Sequence, residues 1–221
     1  MENEIKIAFP SKESLFQTVE QPWFREAVTF IDEKNECYDN RYLDTTGRDL
    51  RQTRTSIRVR QVLGHEYIHT VKTGGVQIHD GLSSKYEWNW VTEEHDFDIQ
   101  RFISAVEADC PKDPIAVLKE VLLPIEGQPL IDLCRTSFSR RTIRAKYQQS
   151  EVEICLDVGE CYGLDRHTPI IEMEIELVEG SVAEITSLGE QIVSSTGASY
   201  EEISKLGRCL LLLEEVEHDR R

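Results

Sequence analysis

Three carboxylates on one face of a single strand constrain this chain more than any other feature. Between Ile170 and Val178 the residues alternate, with Ile171, Met173, Ile175 and Leu177 on one side and Glu172, Glu174 and Glu176 on the other. Successive side chains of a strand point to opposite faces. The three carboxylates therefore stand in a row and repel one another unless positive charge lies among them. Other segments repeat the pattern. Ile5, Ile7 and Phe9 oppose Glu2, Glu4 and Lys6; Ile57 and Val59 oppose Arg58 and Arg60; Val152, Ile154 and Leu156 oppose Glu153 and Asp157. Acids hold the polar face at 2/4 and 172/174/176, and bases hold it at 58/60 and 140/144. A surface built for solubility mixes its signs, whereas here they segregate by strand.

An antiparallel sheet with one wet face shows the same alternation, so the helices decide which way the charge points. Helical spacing of apolar residues runs from Lys12 to Lys34, broken at Pro22, and two helices are expected within Asp98–Leu123, the second opening at Asp113-Pro114. Two more are expected at the end, each after a capping box, Ser181 with Glu184 and Ser199 with Glu202. Strands are expected at Glu36–Asp44, Ser56–Val62, Glu66–Thr73 and Lys85–Val91, with turns at Gly64, Gly74, Gly75 and Gly81, and Leu130–Tyr147 forms a hairpin with Glu151–Val158. This is an α+β pattern around one large antiparallel sheet that can close on itself. Apolar helix stripes must cover a sheet face. If they cover the apolar faces from outside, the charged faces turn inward.

The chain reads as one domain over residues 1–213 with a charged tail at 214–221. Its 41 acidic and 25 basic residues give a net charge of −16, which repels nucleic acid and anionic lipid. An anionic ligand then needs locally gathered bases or an intervening metal. The six cysteines, 37, 110, 134, 155, 161 and 209, form no CxxC and are expected to be reduced. No secretory h-region precedes Lys6, and the longest apolar run, Cys209–Leu213, is too short to span a bilayer. A cytoplasmic protein without membrane contact is the expectation. The histidines at 65, 69, 79, 95, 167 and 218 show no metal-binding spacing. Trp88 and Trp90 share a strand face and are expected in the core under a helix.

A barrel with a charged interior offers carboxylates to Mg²⁺ or Mn²⁺ and guanidinium forks to phosphate oxygens. Here the residues resemble a known family. Glu2-Asn3-Glu4-Ile5-Lys6 matches the ExExK motif that opens CYTH domains, the triphosphate tunnel metalloenzymes. Further motifs follow in the family's order. They are Tyr42-Leu43-Asp44-Thr45, Ser56-Ile57-Arg58-Val59-Arg60, Lys72, Lys85-Tyr86-Glu87, Phe138-Ser139-Arg140, the Glu153–Glu160 stretch containing LDVGE, Glu172–Leu177 as ExExE, and Ser204-Lys205. Together they span nearly the whole chain.

The resemblance implies an eight-stranded antiparallel closed β-barrel, a tunnel with a charged interior and flanking helices. It implies a Mg²⁺ or Mn²⁺ site made by Glu2, Glu4, Asp157, Glu172 and Glu174. Phosphates would be held by Lys6, Arg58, Arg60, Lys72, Arg140 and Lys205, with Glu87 as an interior carboxylate orienting these bases. Glu4, Lys6 and Asp157 would act in catalysis, and Glu176 continues the same face outside the metal set. Two points depart from the family. Ala8 stands where members often carry a second base, and Arg140 competes with Arg141 and Arg144. Strand parity with an outward Ile143 favours Arg140 and Arg144, unless a bulge intervenes.

The implied activity is hydrolysis of inorganic triphosphate by water, with no protein nucleophile, in a monomer or homodimer. Rival readings on the same fold are a class IV adenylyl cyclase and a thiamine or nucleoside triphosphatase. A non-catalytic polyphosphate-binding module is the rival of another class, and the full acidic set argues against it. Class IV cyclases carry a His-Phe segment just before ExExK. This sequence has only Met1 before Glu2, so little or no cyclic AMP from ATP is expected.

Overall fold

The computed structural model describes residues 1–61, 66–77 and 80–219, without the side chains of 75–77 and 216–219. Val62, the turn expected at Gly64, His65, His79 and the side chain of His218 lie outside the described residues. Eight long strands make the body of the molecule: β1 (Glu2–Ala8), β2 (Val28–Thr45), β3 (Ser56–Gln61), β4 (Tyr67–Gln77), β5 (Leu82–Thr92), β6 (Leu130–Tyr147), β7 (Ser150–Gly163) and β8 (Arg166–Glu179). They pair antiparallel in the order β5-β4-β3-β2-β6-β7-β8-β1, and β1 pairs back to β5, which closes the barrel. Closure leaves no long open edge. Where β1 runs past β5, the two-residue strand β9 (Ser199–Tyr200) takes up its edge opposite Ile7 and Ala8.

The apolar faces point outward, as the inverted reading requires. Ile5, Ile7, Ile154, Leu156, Met173 and Ile175 pack beneath helices α1 (Lys12–Thr18), α2 (Pro22–Ala27) and α6 (Val182–Thr196), which contribute Leu15, Phe24, Ile185, Leu188 and Ile192. After the short helix α3 (Asp49–Gln52), Ile57, Val59, Val71 and Trp88 pack beneath α4 (Ile99–Glu107) and α5 (Lys112–Leu122) through Phe102, Ile103, Ile115 and Leu118. The last helix, α7 (Lys205–Asp219), behaves differently. Its Cys209 and Leu213 pack on Tyr38, Tyr42, Phe138 and Ile170. Phe138 and Ile170 have the strand parity of Arg140 and Glu172, so α7 covers the inner face of the barrel at one end. Among the described residues no helix is long and apolar enough to cross a membrane.

Several expected boundaries move. The helical segment read from Lys12 to Lys34 ends at Ala27, and Val28 begins β2. The helical reading would bury Ile31, yet it is 50% exposed, while Val28 is buried opposite Tyr147 of β6. Pairing along β6 overrides the local helical spacing. Helix α5 starts at Lys112 after Pro111, one residue before the expected cap at Asp113. Ser199 does not cap a helix; it pairs with Ala8, and α7 begins five residues after Tyr200, with the Ser204 hydroxyl accepting from the Gly207 amide at 3.1 Å. The segment from Glu214, read as a tail, is helical through Asp219 and ion-paired through Glu214 to Arg51.

Gly159 shows how tightly the wall is drawn. A Cβ there would lie 2.2 Å from the Ser137 carbonyl oxygen and 2.4 Å from Phe138 Cα. Both atoms belong to the backbone of the neighbouring strand, so β6 and β7 would have to part. Gly159→Ala is expected to destabilise the protein by about 1–3 kcal/mol, the usual cost of overpacking, measured by urea denaturation. A change within about ±0.5 kcal/mol, typical of an exposed site, would contradict this packing.

Candidate active site

The strand register assembles the inward charges into one lining. Across β1 and β8, Glu4 faces Glu176, Lys6 faces Glu174 and Ala8 faces Glu172. Across β7, Asp157 faces Glu172, and across β6 Arg140 faces Asp157. On the opposite wall Lys72 faces Glu87, Arg58 faces Thr70 and Arg60 faces Asn40. A cavity of about 1040 Å³ runs between these walls, lined among others by Glu2, Glu4, Lys6, Arg58, Arg60 and Lys72. Glu87, Arg140, Glu174 and Lys205 also line it. Asp157 and Glu172 lie fully buried just behind the lining.

The ion pairs fall into two groups. In the first, Lys205 Nζ lies 2.7 Å from Asp157 and 2.9 Å from Glu174, and also contacts Glu172. Arg140 makes a two-pronged contact with Asp157, its Nε and Nη2 each at 2.6 Å, and reaches Glu174 as well. Arg208, one turn along α7 from Lys205, donates to the second oxygen of Glu172. In the second group, Lys72 Nζ bridges Glu2 at 2.6 Å and Glu87 at 2.5 Å, and Lys6 holds Glu4 at 2.5 Å. The Ser83 hydroxyl also donates to Glu4, at 3.2 Å.

Burial and neighbouring charge set the protonation of these groups. Burial pushes Lys72 down, but Glu4, Glu2 and Glu87 outweigh it and hold its ammonium well above the ordinary lysine range. Asp157, Glu172 and Glu174 do the same for Lys205. Glu174 is driven well below the usual carboxylate range against the effect of burial, by Lys205 and Arg140. Glu2 is raised to about 8, chiefly by burial, with Lys72 opposing. Arg60 differs from the other bases expected at the site. It is 8% exposed and, among the described residues, has no ion pair. Its Nε donates to Asn40 at 2.8 Å, and its guanidinium lies 3.9 Å over the Tyr38 ring. Burial, Arg58 and Arg140 lower its pKa to about 9. A buried cation flanked by cations is a seat for an anion.

The acidic triad of Asp157, Glu172 and Glu174 presents oxygens within 4.8 Å of one another. An all-oxygen donor set of this kind suits a hard divalent cation. Among the described residues no histidine joins it; His69 stacks against Phe97 in the outer core.

All the residues expected at the site face this interior. Arg140 does so, whereas Arg141 points outward to Glu33 at 2.7 Å, and Arg144 is exposed beside Glu151. The β6–β7 pairing runs from Arg135 to Tyr147 without a register shift, so parity puts Arg140 and Arg144 on one face. Only Arg140 reaches the interior, and the expectation for Arg144 fails because it lies near the end of β6 in solvent. Trp88 and Tyr67 pack in the outer cluster under α4 and α5. Sequence reasoning missed Arg208, Lys85, Asn40 and the Thr70–Asn89 pair. Arg208 lay three residues after Lys205, on the same helical face. Lys85 shares strand parity with Glu87 and lines the cavity. Asn40 and Thr70 carry no charge and left no signal.

Residues 1–210 match the CYTH domain family model. An inorganic triphosphatase from Haemophilus influenzae is 27% identical over 197 residues, covering 88% of this chain and 51% of that protein. The chain thus spans about half the length of this curated relative. Among solved structures, HpAC1 from Hippeastrum, studied as an adenylyl cyclase and reported to have a dominant triphosphatase activity, superimposes with a TM-score of 0.63 at 18% identity, over 95% of each chain. PH1819 from Pyrococcus horikoshii OT3 gives a TM-score of 0.56 at 22% identity, over 97% of this chain and 99% of that one. Both share the fold.

If Arg60 is an anion seat, Arg60→Gln should weaken binding of a hydrolysis-resistant triphosphate by about 10- to 100-fold, the worth of a charge-assisted contact. Stability should change by less than about 1 kcal/mol, because loss of the hydrogen bond to Asn40 and of the Tyr38 ring contact is offset by removal of a buried charge that has no ion pair among the described residues. Calorimetric titration and urea denaturation measure the two. Unchanged affinity would contradict the assignment.

Proposed function

We propose that this chain, which belongs to the CYTH domain family, is a divalent-metal-dependent triphosphatase that hydrolyses inorganic triphosphate inside its barrel. The observation that carries the reading is that a buried arginine and a three-carboxylate cluster face the same cavity region from different strands. Buried Arg60, which has no carboxylate partner among the described residues, stands beside Arg58 on one side, and the triad of Asp157, Glu172 and Glu174 stands on the other. Bases alone would serve an anion-binding module. The carboxylates are useful to a polyanion only with a cation between them.

Glu172, Glu174 and Asp157 would hold Mg²⁺ or Mn²⁺, with Glu2 and Glu4 offering further oxygens nearby. When bound, such an ion neutralises phosphate charge and makes water a better nucleophile. The chain's own residues do the rest. Arg58, Arg60, Lys72, Lys6, Arg140 and Lys205 line the path of a linear triphosphate and fix its oxygens, which is most of what catalysis of phosphoryl transfer requires. Glu87 orients two of these bases, contacting Lys72 at 2.5 Å and Arg58 at 3.9 Å. Water attacks a phosphorus, and no protein nucleophile takes part. Inorganic triphosphate is assigned over a nucleotide because Trp88 and Tyr67 pack on the outer face, and the aromatic residues on the inner face, Tyr38, Tyr42 and Phe138, are buried in a cluster with Cys209 and Leu213 of α7. The triphosphatase named for the Haemophilus influenzae relative agrees with this assignment.

With Mg²⁺ or Mn²⁺, the purified chain should release phosphate from inorganic triphosphate, and excess chelator should stop it. Glu174→Gln should lower turnover by about 100-fold or more while far-UV circular dichroism stays unchanged. Full hydrolysis in excess chelator would refute metal dependence. ATP turned over in preference to inorganic triphosphate would move the substrate assignment to the nucleotides.

A further inference from the structure

The triad's charge is already balanced without any metal. Asp157, Glu172 and Glu174 contribute three negative charges, and Arg140, Lys205 and Arg208 contribute three positive ones, each in direct contact with the triad. Asp157 and Glu172 have no exposed surface. A divalent cation entering this cluster alone would leave about two uncompensated positive charges in a buried site, at a cost of several kcal/mol per ion. The bases also occupy the very oxygens a cation would take. Lys205 and Arg208 grip the two oxygens of Glu172, Oε1 and Oε2, and Arg140 takes both oxygens of Asp157.

We propose that Arg208, with Lys205 and Arg140, is the counter-ion of the empty triad, and that when a divalent ion takes the carboxylates Arg208 releases Glu172 while Lys205 and Arg140, which line the cavity, pass to phosphate oxygens. Metal and triphosphate therefore bind as a coupled pair, and each is weak without the other. Arg208 is central because its removal breaks the balance at a single position. It stands on α7 rather than on the barrel wall, and among the described residues its only other ion pair is with Glu201 at 3.8 Å. The inference rests on the function proposed above and adds to it the order of charge compensation. Binding linkage is reciprocal, so the triphosphate must tighten the metal by the factor by which the metal tightens the triphosphate.

The test is calorimetric, using the full chain, Mn²⁺ and a methylene-bridged triphosphate that is not hydrolysed. Mn²⁺ held by the analogue in solution is subtracted. For the wild type, the analogue should tighten Mn²⁺ binding by about 5- to 150-fold, the usual range of coupling. Arg208→Gln leaves the triad one charge negative, so it should bind Mn²⁺ alone about tenfold more tightly and show weaker coupling. Arg208→Lys restores the charge and should behave as the wild type. Equal Mn²⁺ affinity with and without the analogue would overturn the proposal, as would an Arg208→Gln variant that binds Mn²⁺ alone no better than the wild type. If Arg208→Gln does not fold, the wild-type coupling decides the matter. If the wild type binds neither Mn²⁺ nor the analogue under any condition, the functional reading itself fails and this inference falls with it.

Discussion

Charge compensation inside the barrel is the condition on which the rest of the structure depends. An ionised group taken out of water without a partner costs several kcal/mol, and here Glu4, Lys6, Asp157, Glu172 and Lys205 are all buried. They are tolerated because the strand register interleaves acids with bases. Lys6 sits opposite Glu174, Arg140 opposite Asp157, and Lys72 opposite Glu87. A shift of one residue in any of these pairings would turn the charges into the outer apolar layer. The lining thus demands a single register as strictly as the outer core does.

The helices make the inversion possible. Stripes on α1, α2 and α6 cover one part of the barrel's outer face, and those on α4 and α5 another, so the greater part of the apolar strand faces is kept from water. The inner face is left for ions. Helix α7 links the two layers. Its apolar residues pack on Tyr38, Tyr42 and Phe138, and its Lys205 and Arg208 reach the triad. It is held at its far end by Glu214 to Arg51. Any movement of α7 would therefore change the charge balance of the triad directly. The wall beside it is equally close-fitting, since at Gly159 no side chain fits between β6 and β7.

Much of this was legible in the sequence because strand periodicity reports which residues share a face. The alternation at 172/174/176, at 58/60 and at 153/157 placed those charges together, and the parity of Ile143 selected Arg140 over Arg141. What periodicity cannot report is pairing between distant segments. Residues 28–31 read locally as helix, and only their pairing with β6 makes them strand. Ser199 matches a capping box locally but is claimed by the free edge of β1. Neutral members of the lining, such as Asn40 and Thr70, leave no charge pattern. Arg208 could have been found only by treating Lys205 as the start of an inward helical face.

Diffraction from crystals grown with Mn²⁺ and a hydrolysis-resistant triphosphate analogue tests the central claim most directly. The account predicts an anomalous Mn²⁺ peak in contact with Asp157, Glu172 and Glu174, the analogue lying in the cavity with its oxygens on Arg58 and Arg60, and Arg208 drawn away from Glu172. A Mn²⁺ peak away from the triad, or an analogue bound outside the barrel, would contradict it.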